Sequence, residues 1–215
     1  MKIESVEKYK GSTYCVIFDD ESRIYIGSEI VSRYNLRAGL NLPQEAVEDI
    51  ITDSGMRKAR ERALYLLDGR DYSYIEMLNK LKATYSEEVA FATCDRLAQL
   101  GLIDDRRYAE RLAQELCERK HFGPYRARQE LNKRGIPDKL IAEVLTPYND
   151  ADERAERLEE LVKRKYARYL GDESGQKKVT SALVRMGYSY GEIRSLLKRL
   201  ECDSEEEYDG YDENE

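Results

Sequence analysis

The sequence predicts a mainly α protein, built as tandem three-helix repeats forming an elongated curved rod, with a small N-terminal β-hairpin element. Three observations lead there. Charged residues make up 37% of the 215-residue chain and hydrophobic ones 41%, a balance suited to a soluble, helix-rich chain. Helix start and stop signals recur from about Arg57 to Leu200. Two stretches of that region also repeat one another position by position.

The elements follow in order. Tyr14–Phe18 (YCVIF) and Ile24–Ile26 (IYI) are β-branched and aromatic, and Asp19–Ser22 between them suits a hairpin turn. Leu42-Pro43 opens a short helix. Ser73 with Glu76, and Ser189 with Glu192, are capping-box pairs that satisfy the free amides of a first helical turn. Gly101, Gly135 and Gly187 fall where helices end in a left-handed residue, and Pro124 and Pro137 fit first turns. The spacing therefore predicts helices near 56–68, 74–84, 87–100, 105–119, 124–134, 137–146, 151–169, 175–186 and 190–200.

Internal similarity groups these helices in threes. Leu131 and Leu183 each stand four residues before a glycine and ten before an isoleucine, Ile141 and Ile193. Val144-Leu145 and Leu196-Leu197 then match, while Leu81 heads a looser first copy with Tyr85 in the glycine place. The predicted divisions are 1–55 (hairpin extension and short helix), 56–103, 104–148 and 149–200 (three repeats), and 201–215 (acidic tail). Val179, Ala182, Leu183 and Met186 form one apolar stripe, and Ala155, Leu158, Val162, Tyr166 and Tyr169 another; both read as core. Small units of this kind bury little alone and are expected to stack.

Composition also excludes. No apolar run exceeds about five residues where a membrane span needs about 20, and MKIESVEKYK lacks the apolar stretch of a signal peptide. Cys15, Cys94, Cys117 and Cys202 are too far apart for a zinc knuckle or redox dithiol, which suits a reduced, cytoplasmic setting. The net charge of −7 is concentrated at one end, since nine acids and no base lie in 201–215. Subtracting those nine from 43 leaves 34 acids against 36 bases in 1–200, a balance of +2. The tail reads as disordered, either solubilising or screening basic surface elsewhere in the chain.

Signatures of catalysis are sparse. There is no phosphate-binding glycine loop, dinucleotide fingerprint or metalloprotease helix motif. His121 is the single histidine and is read as a capping or surface residue. Asp104-Asp105 precedes a helix, where an acid favours the positive end of the dipole, and capping is preferred over a metal-binding pair.

The bases carry more information. Arg119, Lys120, Arg126, Arg128, Lys133 and Arg134 face one acid, Glu130, between 119 and 134. Aligning Leu131 with Leu183 superposes Arg126 on Lys178 and Lys133 on Arg185. The same flank of the middle helix is thus basic in two consecutive units, over about two turns. Lys163, Arg164 and Lys165 add a cluster between them. A basic flank repeated along stacked units suits an extended polyanion or an acidic groove.

Three blocks in order, Ala63–Leu81 (ALYLLDGRDYSYIEMLNKL), Leu100–Ala109 (LGLIDDRRYA) and Gly123–Ile136 (GPYRARQELNKRGI), resemble the RecX regulatory proteins. The likeness covers about 57–147 well, and 150–200 fits as a third repeat mainly by spacing. It implies a non-enzymatic, monomeric modulator of the RecA recombinase, with no cofactor or metal. Such proteins lodge in the groove of the RecA filament on single-stranded DNA, restrain filament extension, and inhibit ATP hydrolysis and strand exchange. The expected contact surface is Lys120, Arg126, Arg128, Lys133, Arg134, Lys163, Arg164, Lys165, Lys178 and Arg185, meeting RecA and, as a second candidate, exposed DNA. The alternatives are a helix-turn-helix DNA-binding regulator, or a hydrolase using Asp104 and Asp105 with a metal.

Overall fold

A computed structural model describes residues 1–209, with side chains through Leu200. The chain divides into two compact units, one of Met1–Ile103 and one beginning at Asp104.

The first unit opens with an antiparallel sheet, β1 (Ile3–Lys10), β2 (Thr13–Phe18) and β3 (Arg23–Gly27), in sequential order. The predicted hairpin is β2–β3, with Glu21 in the left-handed region at φ 64° within its turn. The sheet has three strands rather than two. Val6, Val16 and Ile24 form one cross-strand row, and Ile3, Val16, Phe18 and Ile26 are buried. The first strand escapes a sequence reading because it is an edge with an exposed, charged outer half, and only Ile3 is fully buried in it.

A short helix α1 (Ser28–Arg33) follows, then α2 (Gln44–Gly69). The predicted short helix after Pro43 and the first repeat helix are one continuous 26-residue element, crossing the expected division at residue 55. No proline or cap interrupts it, and Gly55 alone costs about 1 kcal/mol, too little to break a helix packed on both halves. Its N-terminal half contributes Val47 and Ile50 to the core under the sheet. Its C-terminal half places Ala59 and Ala63 against α3 (Tyr74–Lys82) and α4 (Glu87–Gln99), around Met77, Leu81, Ala90, Cys94 and Leu97. Ser73 and Glu76 form the expected reciprocal capping box.

The second unit holds two further three-helix sets. In the first, Asp104 caps α5 (Asp105–Gln114) by accepting the Arg107 amide at 3.0 Å. The helix then widens into a π turn, Glu115–Arg119, which buries both Leu116 and Cys117. With α6 (Pro124–Lys133) and α7 (Asp138–Leu145) it encloses Ala127, Leu131, Ile141 and Leu145. The second set is α8 (Ala151–Lys165), α9 (Glu173–Arg185) and α10 (Tyr190–Asp209), around Leu158, Val162, Val179, Leu183 and Ile193. The matched pairs Leu131/Leu183 and Ile141/Ile193 thus occupy equivalent core positions, at most 1% exposed.

Three local expectations shift. In the α8 stripe, Ala155, near the start of the helix, is exposed, and so is Tyr169, because the α-helix ends at Lys165 and a 3₁₀ turn, Ala167–Tyr169, rotates the chain off the stripe. Pro137 stands at the N-cap of α7, not in its first turn. Helix α10 continues past Leu200 to Asp209, where the acidic tail was read as disordered from Glu201. Extending an existing helix costs far less than starting one, and glutamate is a good helix former. The tail from 210 to 215 lies outside the described residues. Among the described residues no helix is long and apolar enough to cross a membrane.

Candidate functional site

Helix α6 is the first carrier of the basic flank. Pro124 sits in its first turn, and Ala127 and Leu131 bury one stripe, which turns Arg126 and Lys133 away from that core. Both cations meet the same acid. Arg126 Nη2 is 2.8 Å from Glu130 Oε1, and Lys133 Nζ donates to that oxygen at 3.0 Å. The Lys133 hydrogen bond, against an opposing effect of burial and with help from Arg126 and Arg134, holds the Glu130 carboxyl below its usual range. Half of the charge predicted for this flank is therefore neutralised within the helix.

The neighbouring bases are also engaged. Lys120 pairs with Glu115 at 2.8 Å, and Arg128 lies 3.5 Å from Asp138. Arg134 adds its field to both Glu130 and Glu115. At the C-terminus of α8, where cations complement the helix dipole, Lys163 pairs with Glu159 at 2.7 Å. Lys165 is exposed beside it.

Helix α9 differs. Lys178 and Arg185 are exposed, and neither forms an ion pair among the described residues. They line one shallow depression with Ser174, Ser181 and the Lys177–Glu173 pair, whose charges meet at 2.6 Å. Arg185 also lines a second cleft of about 390 Å³, together with Phe122, Tyr125, Arg126 and Gln129. Arg185 thus lines both depressions, with Arg126 in one and Lys178 in the other. Lys120, Arg128, Lys133, Arg134, Lys163, Arg164 and Lys165 line neither depression.

The two three-helix sets meet at main-chain distance beside this cleft. The Gly123 amide donates to the Met186 carbonyl at 2.8 Å. A Cβ on Gly123 would fall 2.4 Å from the Gly187 carbonyl oxygen, and one on Gly187 2.6 Å from the Arg126 amide nitrogen. The Tyr188 hydroxyl donates to the His121 carbonyl at 3.1 Å. Arg164 Nη2 is 2.7 Å from His121 Nε2. A guanidinium only donates, so Nε2 is the unprotonated nitrogen of a neutral ring. Burial, then Arg164 and Lys165, push the His121 pKa down.

These groups are equipped to hold anions. The acidic pair read as a metal alternative is occupied otherwise, since Asp104 serves as the α5 cap. Burial pushes the Cys94 and Cys117 thiols up to about 11, a range in which they are poor nucleophiles. Helix α7, the recognition helix of the helix-turn-helix alternative, exposes Asp138, Lys139, Ala142 and Glu143, with Glu143 held by Arg106. That surface offers acids rather than base-reading amides.

Comparison with known proteins agrees with this architecture. A regulatory protein RecX of Trichlorobacter lovleyi is 37% identical over 141 residues, which is 64% of this chain and 92% of the relative. The chain belongs to the RecX family of regulatory proteins. A Chlorobium phaeobacteroides RecX is 34% identical over 70% of this chain and 98% of its own length, and a Streptococcus sanguinis RecX 26% identical over 96% and 80%. The family profile described as RecX, second three-helix domain, matches residues 104–145, the α5–α7 set. A crystal structure of regulatory protein RecX superposes with a TM-score of 0.66 at 24% identity, covering 92% of this chain and 98% of that one. The RecX from Lactobacillus salivarius gives 0.60 at 26% identity, over 69% and 97%.

Of the ten cations singled out from the sequence, Arg126, Lys178 and Arg185 line the two depressions, and the groups between them carry no signal that sequence reasoning used. Phe122, Tyr125 and Gln129 were not singled out, although aromatics alternate with bases in His121–Gln129 (HFGPYRARQ). The sequence marks Gly187 only as a helix end and Gly123 only as the start of a matched block. Their close approach depends on how α6 meets α9, which no local pattern contains.

Proposed function

We propose that this chain regulates RecA by seating the second unit in the groove of the RecA filament on single-stranded DNA, where it restrains extension and inhibits ATP hydrolysis and strand exchange. Membership of the RecX family supports the partner. The observation that carries the surface is the path from Arg126 through Arg185 to Lys178, along which two cations have no acid partner among the described residues. An isolated exposed ion pair contributes about 0–1 kcal/mol, so useful affinity has to come from several contacts engaged together.

The pairing pattern refines the test. Glutamate at Arg126 or Lys133 would repel Glu130 and weaken α6 itself, whereas Lys178→Glu with Arg185→Glu leaves internal pairs intact. In a RecA ATPase assay on single-stranded DNA, the double variant is expected to lose most inhibition. Adding Arg126→Glu and Lys133→Glu is expected to abolish it. Full inhibition by the folded quadruple variant removes this surface from the mechanism.

A further inference from the structure

We propose that the cleft between α6 and α9 is a stacking subsite for an unpaired nucleobase. The single strand that carries the base runs from Tyr125 past Arg185 to Lys178. This rests on the filament reading above and commits that path to the nucleic acid rather than to protein.

The ring of Tyr125 is 68% exposed in the first turn of α6, on a wall of the cleft. Its neighbour Phe122 is partly buried and already covered by the Arg126 guanidinium, 5.8 Å from the ring centroid. One aromatic face is thus used internally and the other is open. Gln129 lines the same cleft with an amide that can both donate to and accept from a base edge. Gly187 closes one end of the cleft, its missing side chain leaving room for the Arg126 backbone.

Beyond Arg185 the lining continues with Ser181, Ser174 and Lys178, hydroxyl and ammonium groups of the kind that contact phosphates, while Lys177 on the same wall is held by Glu173 at 2.6 Å. Lys178 and Arg185 are seven residues apart on α9, about 10 Å by helix rise. An aromatic face at one end of a row of cations is how single strands are held without sequence preference. A duplex hides its base faces, so the open face of Tyr125 suits an unpaired base.

The test compares fluorescein-labelled oligothymidylate with an abasic strand of the same length, titrated with the full chain in the absence of RecA. Oligothymidylate is expected to bind about tenfold tighter than the abasic strand. Tyr125→Ala is expected to remove that advantage without changing the salt slope, and Tyr125→Phe to retain it. Arg185→Ala should weaken both strands and reduce the salt slope by about one. Equal affinity for the two strands, or no binding of either, overturns the proposal. RecA inhibition would survive that result, and base-dependent binding would survive failure of the ATPase test, so the two readings fail separately.

Discussion

Three glycine-to-alanine substitutions separate backbone strain from backbone contact, and with them test the seam between the last two helix sets. Gly101 has φ +69° with nothing within 4 Å of an added Cβ, so alanine there meets only the left-handed penalty, about 1–2 kcal/mol. Gly123 has an unstrained φ of −67°, but its Cβ would stand 2.4 Å from the Gly187 carbonyl oxygen. Ordinary contact begins near 3.5 Å, so the strands of backbone must separate by about 1 Å. That stretches the 2.8 Å Gly123–Met186 hydrogen bond beyond useful range. Overpacking of about 1–3 kcal/mol and loss of a bond of about 1 kcal/mol give roughly 2–4 kcal/mol. Gly187, at φ +93° and with main-chain contact, combines both costs, roughly 3–6 kcal/mol. The double variant Gly123→Ala/Gly187→Ala should cost less than the sum, because one approach can be lost only once. Hydrogen exchange of α6 and α9 amides reads the second unit directly, and urea unfolding by circular dichroism gives the scale. A Gly123→Ala protein no less stable than Gly101→Ala refutes the seam.

The remaining predictions concern protons, packing and a cap. His121 binds its proton less tightly in the fold than in an unfolded chain, so the unfolded state takes up more protons below about pH 6.5. Stability of the second unit should be level above that pH and fall as pH drops through it, and His121→Gln should flatten the decline in urea midpoints measured across the same window. Leu131, fully buried between α5 and α7, should cost about 2–5 kcal/mol when changed to alanine, seen as a lower urea midpoint with an unchanged slope. Ser73→Ala removes the cap on the Glu76 amide and should cost about 1 kcal/mol, with faster hydrogen exchange confined to the start of α3.

What the sequence made legible is what local chemistry decides. Ser73 and Glu76 announce a helix start because both halves of the box lie within four residues, and Gly101, Gly135 and Gly187 do adopt positive φ. Leu131 and Leu183 could be paired because each unit folds around one central leucine. The first strand was hidden because Glu4, Glu7, Lys8 and Lys10 dilute its pattern. The length of α2 was hidden because its two halves serve different cores, Val47 and Ile50 under the sheet and Ala59 and Ala63 against α3 and α4. At the site, periodicity placed Arg126 and Lys133 on one flank. That Glu130 quenches both was written in the i+4 and i−3 spacing, whereas the cleft at Tyr125 exists only once α9 arrives.

A seam joined through peptide groups has an engineering meaning. The Gly123 amide and the Met186 carbonyl are present whatever the surrounding side chains are. The distance at which α6 and α9 display their outer residues is therefore set without reference to what those residues recognise. Charges and rings on the display can be rewritten while the close approach of Gly123 to Met186 and Gly187 holds the spacing.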